Sequence, residues 1–337
     1  MLPPPHARLE LKPTGARPRT THRRRSPALL RHRLPTGAAL ILLLVAVAAA
    51  DARRPGPIVS PQQWSDWFGS EATPLVGGVL LLFTTLLVAP LLGWEFGRLL
   101  RAAGAKIPTG AAIAAVVSVS IAVPLGAAIS TTAAALLPLA ALLGVLAASM
   151  VAALSDPSGE LAADPKATCE HALRGTAGVA LAGIYAGGCL GGWLLLRQQE
   201  PAWVLAGGVL TVKSCDIGAY FLGRAFGRRR LAPRLSPGKS WEGLLGGVAA
   251  SSLVGALLAA WSGTALPDSA VPVWLGAAIG AMLGIAGQAG DLAESLLKRA
   301  GGIKDSSRLL PGLGGVFDVM DSLLPAGLLL AVLLSAR

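Results

Sequence analysis

Charge is what this chain is short of. Only 14% of its 337 residues are Asp, Glu, Lys or Arg, while 53% are hydrophobic; soluble domains average about 25% charged. A deficit of that size, together with apolar runs near membrane-spanning length, excludes an ordinary soluble globule and points to a bilayer protein. Cysteine is scarce as well. Cys169, Cys189 and Cys215 are odd in number and lack metal-ligand spacing, which excludes a disulfide framework and a zinc site. No GxxxxGK[ST] sequence occurs, so a P-loop is excluded. An internal repeat is also missing, which argues against a transporter built from paired halves.

What is present is a succession of apolar runs. The first, 37–50, is short and ends in small residues like a signal-peptide cleavage site, but the preceding basic stretch is too long for an n-region. The expectation is an uncleaved helix over 34–50 that spans if the bilayer thins. Runs at about 74–95, 109–129, 131–154, 177–196, 201–221, 244–262, 272–292 and 314–335 follow. Together they predict an all-α, polytopic transmembrane bundle of about nine helices. Gly and Pro are plentiful, at 42 and 24, which is tolerable where neighbouring helices satisfy freed backbone groups. Trp94, Trp203, Trp261 and Trp274 fall near run ends, where interfacial indoles are expected.

The net charge of +11 is unevenly spread, with nine Lys and Arg against the single Glu10 in residues 1–35. An apolar run follows at once. The tail therefore reads as cytoplasmic retention and contact with anionic head groups, not nucleic-acid binding. With the N-terminus inside, loops 96–107, 155–175, 223–243 and 293–313 become cytoplasmic, and the last two are rich in Lys and Arg. Segment 155–175 reads as a solvated connection. The chain divides into a basic tail (1–35), N-terminal transmembrane helices (36–200) and a C-terminal catalytic transmembrane region (201–337).

Ionisable residues in or beside membrane helices are costly, so function is the default hypothesis for them. They fall in four groups: Lys213 and Asp216; Ser236, Lys239, Ser240 and Glu242; Asp291, Glu294, Lys298 and Arg299; and Lys304, Asp305, Asp318 and Asp321. All four converge on the expected cytoplasmic surface, where a water-soluble nucleotide meets a lipid head group. Asp291, Asp318 and Asp321 are hard oxygen ligands suited to Mg²⁺. Asp318 and Asp321, three apart, share a helix face if the last helix has begun there. Glu294 either faces the same site or only pairs with Lys298 at i+4. Lys239, Lys298, Arg299, Lys304 and Arg308 are suited to offset phosphate charge. Gly312, Gly314 and Gly315 permit close backbone approach to an anion. Metal-assisted phosphate chemistry on a membrane-borne substrate is the result. Blander readings stand beside it: Lys213 with Asp216 as a pair holding a helix junction, Arg228–Arg230 as a positive-inside anchor, and Trp241 as an interfacial residue.

The sequence S-x-L-K-R-x-x-x-x-K-D from Ser295 to Asp305, followed by P-G-x-G-G-x-x-D-x-x-D from Pro311 to Asp321, resembles the signature of the phosphatidate cytidylyltransferase (CDP-diacylglycerol synthase) family. The stretches K-x-x-D-I-G-A-Y-F-x-G-R-x-F-G from Lys213 and S-P-x-K-S-W-E-G from Ser236 are similar to that family's too. The resemblance implies a catalytic set of Asp291, Lys298, Lys304, Asp305 and Asp318. It implies a substrate-binding set of Lys213, Asp216, Ser236, Lys239, Ser240, Glu242, Arg299, Gly312, Gly314 and Gly315, with Mg²⁺ on Asp291, Asp318 and Asp321 and K⁺ as a second ion. The implied partners are CTP, phosphatidate and membrane lipids, with a homodimer as an assembly to test, no nucleic acid, and a location in the cytoplasmic (inner) membrane with the site facing the cytoplasm. Two positions depart from the pattern: Leu313 stands where the family usually has His, and Val319 where it has Arg. A related CTP-using enzyme acting on another phospho-lipid, or a transporter of an anionic solute, are the alternatives.

Overall fold

The computed structural model describes residues 65–66, 83–154, 164–265 and 271–335. The basic tail and the helix expected over 34–50 lie outside the described residues. Within them, six helices are long and apolar enough to cross a membrane.

Helix α1 (Ala89–Ala102) continues from a π-helical turn, Thr84–Val88, with Pro90 in its first turn, where a missing N–H costs no hydrogen bond. Helices α2 (Thr109–Ile129) and α3 (Thr131–Leu154) follow, each with an internal proline, Pro124 and Pro138. Then comes α4 (Pro165–Leu181), which passes through a π-helical turn, Ala182–Gly187, into α5 (Gly188–Gln199). Most of the expected 155–175 connection is therefore different from the reading: residues from Pro165 onward are helical. Asp164 caps that helix by accepting the Lys166 and Ala167 N–H groups, which offsets the polarity of its first turns.

Helix α6 (Ala202–Phe226) is joined to α7 (Trp241–Ala265) by a small antiparallel hairpin, β1 (Arg230–Ala232) and β2 (Ser236–Ser240). Helix α8 (Val273–Ala300) has 28 residues, about 42 Å at 1.5 Å per residue. That exceeds a hydrocarbon core of about 30 Å, so the helix is long enough to span with tilt. The final expected run, 314–335, is not one helix. It breaks into α9 (Val316–Met320) and α10 (Leu323–Ser335). Asp321 and Ser322 sit at the break, and Trp193 of α5 donates its indole N–H to the Leu323 carbonyl in the first turn of α10 at 2.9 Å.

Helices α6, α7 and α8 pack in sequence, and α10 packs on both α5 and α8. Between membrane helices close packing, not burial from water, supplies the attraction, and small residues allow it. On the α7–α8 face, a side chain at Gly255 would strike the Gly276 carbonyl, and one at Gly280 would strike the Ser251 carbonyl. A second apolar cluster joins Leu92, Phe96 and Leu99 of α1 to Val116, Val179 and Leu190, and it takes in Phe317 of α9 and Leu324 of α10. Phe317 is fully buried, edge-on to Phe96 at 5.3 Å and to Tyr185 of the π-helical turn at 6.5 Å. The N-terminal helices thus grip the segment that carries Asp318.

Candidate active site

The middle of α6, the second half of α8, strand β2 and the α9–α10 break bring the ionisable groups into one continuous network. On α6, Lys213 donates to Asp216 at 3.2 Å and to Ser322 at 2.8 Å. Asp216 also accepts from the Gln288 amide at 3.1 Å. The pair does hold a helix junction, but both members stay partly open, at 38% and 34% side-chain exposure. On β2, Lys239 reaches Asp291 of α8 at 2.8 Å. Two turns further along α8, Lys298 bridges Glu294 at 2.9 Å and Asp318 at 3.0 Å. Glu294 thus has both of the roles that its spacing offers.

Oxygens of Asp291, Glu294 and Asp321 all lie within 4.8 Å of one another. Asp291 and Glu294 come together because they are three apart on one helix; Asp321 joins them because the chain turns at the break. Glu294 is 2% exposed, and its Oε1 has no hydrogen-bond partner among the described residues. A buried carboxylate oxygen left bare beside two further carboxylates is costly without a cation. Three hard oxygen donors at this spacing fit a divalent ion such as Mg²⁺, which takes one or two carboxylates and keeps room for substrate phosphate. Burial, then the charge of Asp291, pushes the Asp321 carboxyl up to about 6, with Lys213 opposing.

Asp318 is elsewhere. Its Oδ2 accepts from the Ser306 N–H and hydroxyl at 2.9 and 2.8 Å and from the Gly315 N–H at 2.6 Å, while Oδ1 faces Lys298. Burial works against its ionisation, but the Gly315 N–H and Lys298 bring it down to about 2. Helix α9 ends at Met320, so the shared face expected for Asp318 and Asp321 does not form: one carboxylate caps α9, the other turns toward α8. Glu294, and not Asp318, completes the carboxylate cluster.

The other expected residues are spread more widely. Gly312 and Gly314 have φ of +81° and +102° in the tight turn that pairs Leu310 with Gly314, a conformation that suits glycine. A side chain at Gly315 would strike the Ser306 hydroxyl and the Glu95 carboxylate. Ser240 caps α7 by accepting the Gly243 N–H at 3.1 Å. Glu242 is half-buried and accepts the Arg228 and Arg229 N–H groups, which closes the hairpin. Arg299 donates to the Leu235 carbonyl at 3.3 Å. Ser236 is half-buried on β2, while Lys304, Asp305 and Arg308 are exposed, with no polar partner among the described residues. Leu313 and Val319 are half-buried in the turn and on α9.

One residue escaped the sequence reading altogether. Glu95 of α1, fully buried, accepts from the hydroxyls of Ser306 at 3.0 Å and Ser307 at 2.6 Å, and from the N–H groups of Val316 and Phe317 at 3.0 and 2.6 Å. It ties down both sides of the 306–317 loop and shares Ser306 with Asp318. The available signal was a lone carboxylate inside the apolar run Gly93-Trp94-Glu95-Phe96-Gly97. A cavity of about 260 Å³ lies toward the far ends of α6, α7 and α8, against Trp203, Gly207, Leu258, Ser262 and Leu330. Glu200 lines it, but none of Asp291, Glu294, Asp318 and Asp321 does.

A bundle of membrane-length helices that gathers carboxylates and lysines into one network defines a class, that of polytopic membrane proteins with an internal ionisable site. The particular family follows from comparison: the cytidylyltransferase family profile matches residues 71–336, and the chain belongs to that family. It is 46% identical over 150 residues to a phosphatidate cytidylyltransferase of Pseudomonas aeruginosa, covering 43% of this chain and 52% of that protein. It is 49% identical over 138 residues to one of Brucella suis (40% and 49%), and 44% identical over 122 residues to one of Haemophilus influenzae (35% and 40%). The chain spans about half the length of the curated relatives it matches.

Proposed function

We propose that this protein is a CTP:phosphatidate cytidylyltransferase, producing CDP-diacylglycerol and pyrophosphate at the cytoplasmic face of the inner membrane. The observation that carries the reading is the cluster of Asp291, Glu294 and Asp321, flanked by Lys239 and Lys298 at 2.8 and 2.9 Å. Its support in kind is the family and the name borne by the relatives.

In this reading a phosphatidate phosphate oxygen forms a bond to the CTP α-phosphorus in line, and the α–β phosphoanhydride bond breaks to release pyrophosphate. Phosphatidate is already an anion, so no general base is required, and positioning and electrostatics carry the rate. Asp291, Glu294 and Asp321 would hold Mg²⁺, which supplies charge neutralisation on the phosphates when bound. Lys239 and Lys298 hold positive charge beside that cluster, each already fixed by a carboxylate. Lys213 and Asp216, partly open and braced by Ser322 and Gln288, line the route from α6. Exposed Lys304 and Arg308 are free to fold over a polyphosphate.

The test is pyrophosphate release by full-length protein in detergent with CTP, phosphatidate and Mg²⁺. Release that needs all three is expected, together with a CDP-lipid product; phospholipid plus CDP would indicate a kinase instead, and no turnover by folded protein would overturn the reading. Replacing K⁺ by Na⁺ in the same assay tests the proposed second ion, and mass measurement in detergent tests the homodimer.

A further inference from the structure

Four arginines, Arg228, Arg229, Arg230 and Arg234, crowd one side of the β1–β2 hairpin, all exposed and none in an ion pair among the described residues. Glu242, the carboxylate beside them, is occupied by the N–H groups of Arg228 and Arg229. One carboxylate, Glu242, which feels the charge of Arg229, does not balance four guanidinium groups, so a further anionic counterpart is expected.

Where they stand says what kind. The hairpin joins the last residue of one candidate span, Phe226, to the first of the next, Trp241. These two rings are 64% and 51% exposed, and Phe221 one turn back on α6 is 63% exposed. Exposed rings at helix ends beside snorkelling arginines belong to the membrane–water interface. Trp261 at the other end of α7 and Trp274 at the start of α8 are exposed in the same way, but no comparable arginine cluster accompanies them. From behind, the hairpin is pinned to the site: Lys239 reaches Asp291, and the Leu235 carbonyl accepts from Arg299. The guanidinium plane matches a phosphate oxygen pair better than an ammonium does.

We propose that the hairpin binds the phosphates of anionic phospholipid head groups at the bilayer surface, concentrating negatively charged lipid beside the carboxylate cluster. This surface is separate from the carboxylates, and its test does not depend on what they catalyse.

Full-length protein is placed in phosphatidylcholine vesicles doped with either brominated phosphatidylglycerol or brominated phosphatidylcholine. Quenching of Trp241 is read as the difference between the unaltered protein and Trp241→Phe. Quenching by the anionic lipid should exceed that by the neutral one at least about twofold. The preference should collapse at about 1 M salt, where the screening length falls to about 3 Å. It should also vanish in the combined Arg228→Gln, Arg229→Gln, Arg230→Gln and Arg234→Gln variant. Equal quenching by both lipids overturns the proposal, as does a preference that survives the substitutions or the salt. Loss of the preference on adding CTP alone would assign the arginines to a soluble nucleotide and overturn it too.

Discussion

Two buried glutamates, about two hundred residues apart in sequence, sit in opposite electrostatic surroundings. Around Glu95 every contact is a donor: two hydroxyls and two backbone N–H groups converge on its carboxylate. Around Glu294 the neighbours include two further carboxylates; Lys298 satisfies Oε2 alone, and Oε1 is left bare. Charge in the first region is fully solvated by the protein, and such a group fastens a fold. Charge in the second is under-solvated, which is the mark of a site organised around something it binds. Burial alone does not separate the two; the sign of the neighbours does.

That contrast can be broken by exchange of oxygen for nitrogen or by truncation. The largest effect is expected from Asp291→Asn or Glu294→Gln. Losing a ligand of the proposed cation removes several kcal/mol of charge stabilisation, about a thousandfold or more in rate. Pyrophosphate release measures it, with circular dichroism confirming the fold; near-normal turnover of Asp291→Asn would remove the metal assignment. Glu95→Ala should act in the reverse sense, leaving three buried donors (the Ser307 hydroxyl and the Val316 and Phe317 N–H groups) without an acceptor at about 1–3 kcal/mol each before relaxation, while Ser306 keeps Asp318. Its thermal midpoint in detergent should fall further than that of Glu294→Gln; a smaller fall would erase the distinction between the regions.

Lys298→Met comes next. It strips the shared cation from Glu294 and Asp318, and breaking a buried pair costs about 3–5 kcal/mol. Both stability and turnover should drop, since this residue joins the two regions. The smallest effect is expected from Leu313→His combined with Val319→Arg. A charged hydrogen bond to substrate phosphate contributes about 1.5–3 kcal/mol, an upper limit for the gain because both positions lie at the edge of the network. Steady-state turnover would read it, and a lower rate would mean that the site has been rebuilt around apolar residues.

Much of this was legible from residue type and spacing. The apolar runs at 109–129, 131–154 and 201–221 correspond to α2, α3 and α6 to within a few residues. Three of the motif groups do meet, since Lys213, Lys239 and Asp291 adjoin one another through Gln288 and Asp216. The break at Asp321–Ser322 was hidden, because an apolar run with two polar residues near its start reads as continuous when summed over about twenty residues. That break decided which carboxylates cluster, so Asp318 was grouped with Asp321 while Glu294 kept two open readings. Glu95 was hidden for a different reason: its partners are separated from it by more than two hundred positions, as with Phe317 at 222. No local pattern reports a contact of that range.

The bare oxygen of Glu294 has a consequence for the lifetime of the whole protein. A ligand that binds only the folded form adds stability by mass action, about 2.7 kcal/mol when its concentration is a hundred times its dissociation constant. A chelator should therefore depress the unfolding temperature, and Mg²⁺ restore it, even with no nucleotide or lipid substrate present. Seen that way the cluster is a point where ion supply in the surroundings sets how long the chain survives, quite apart from how fast it turns over.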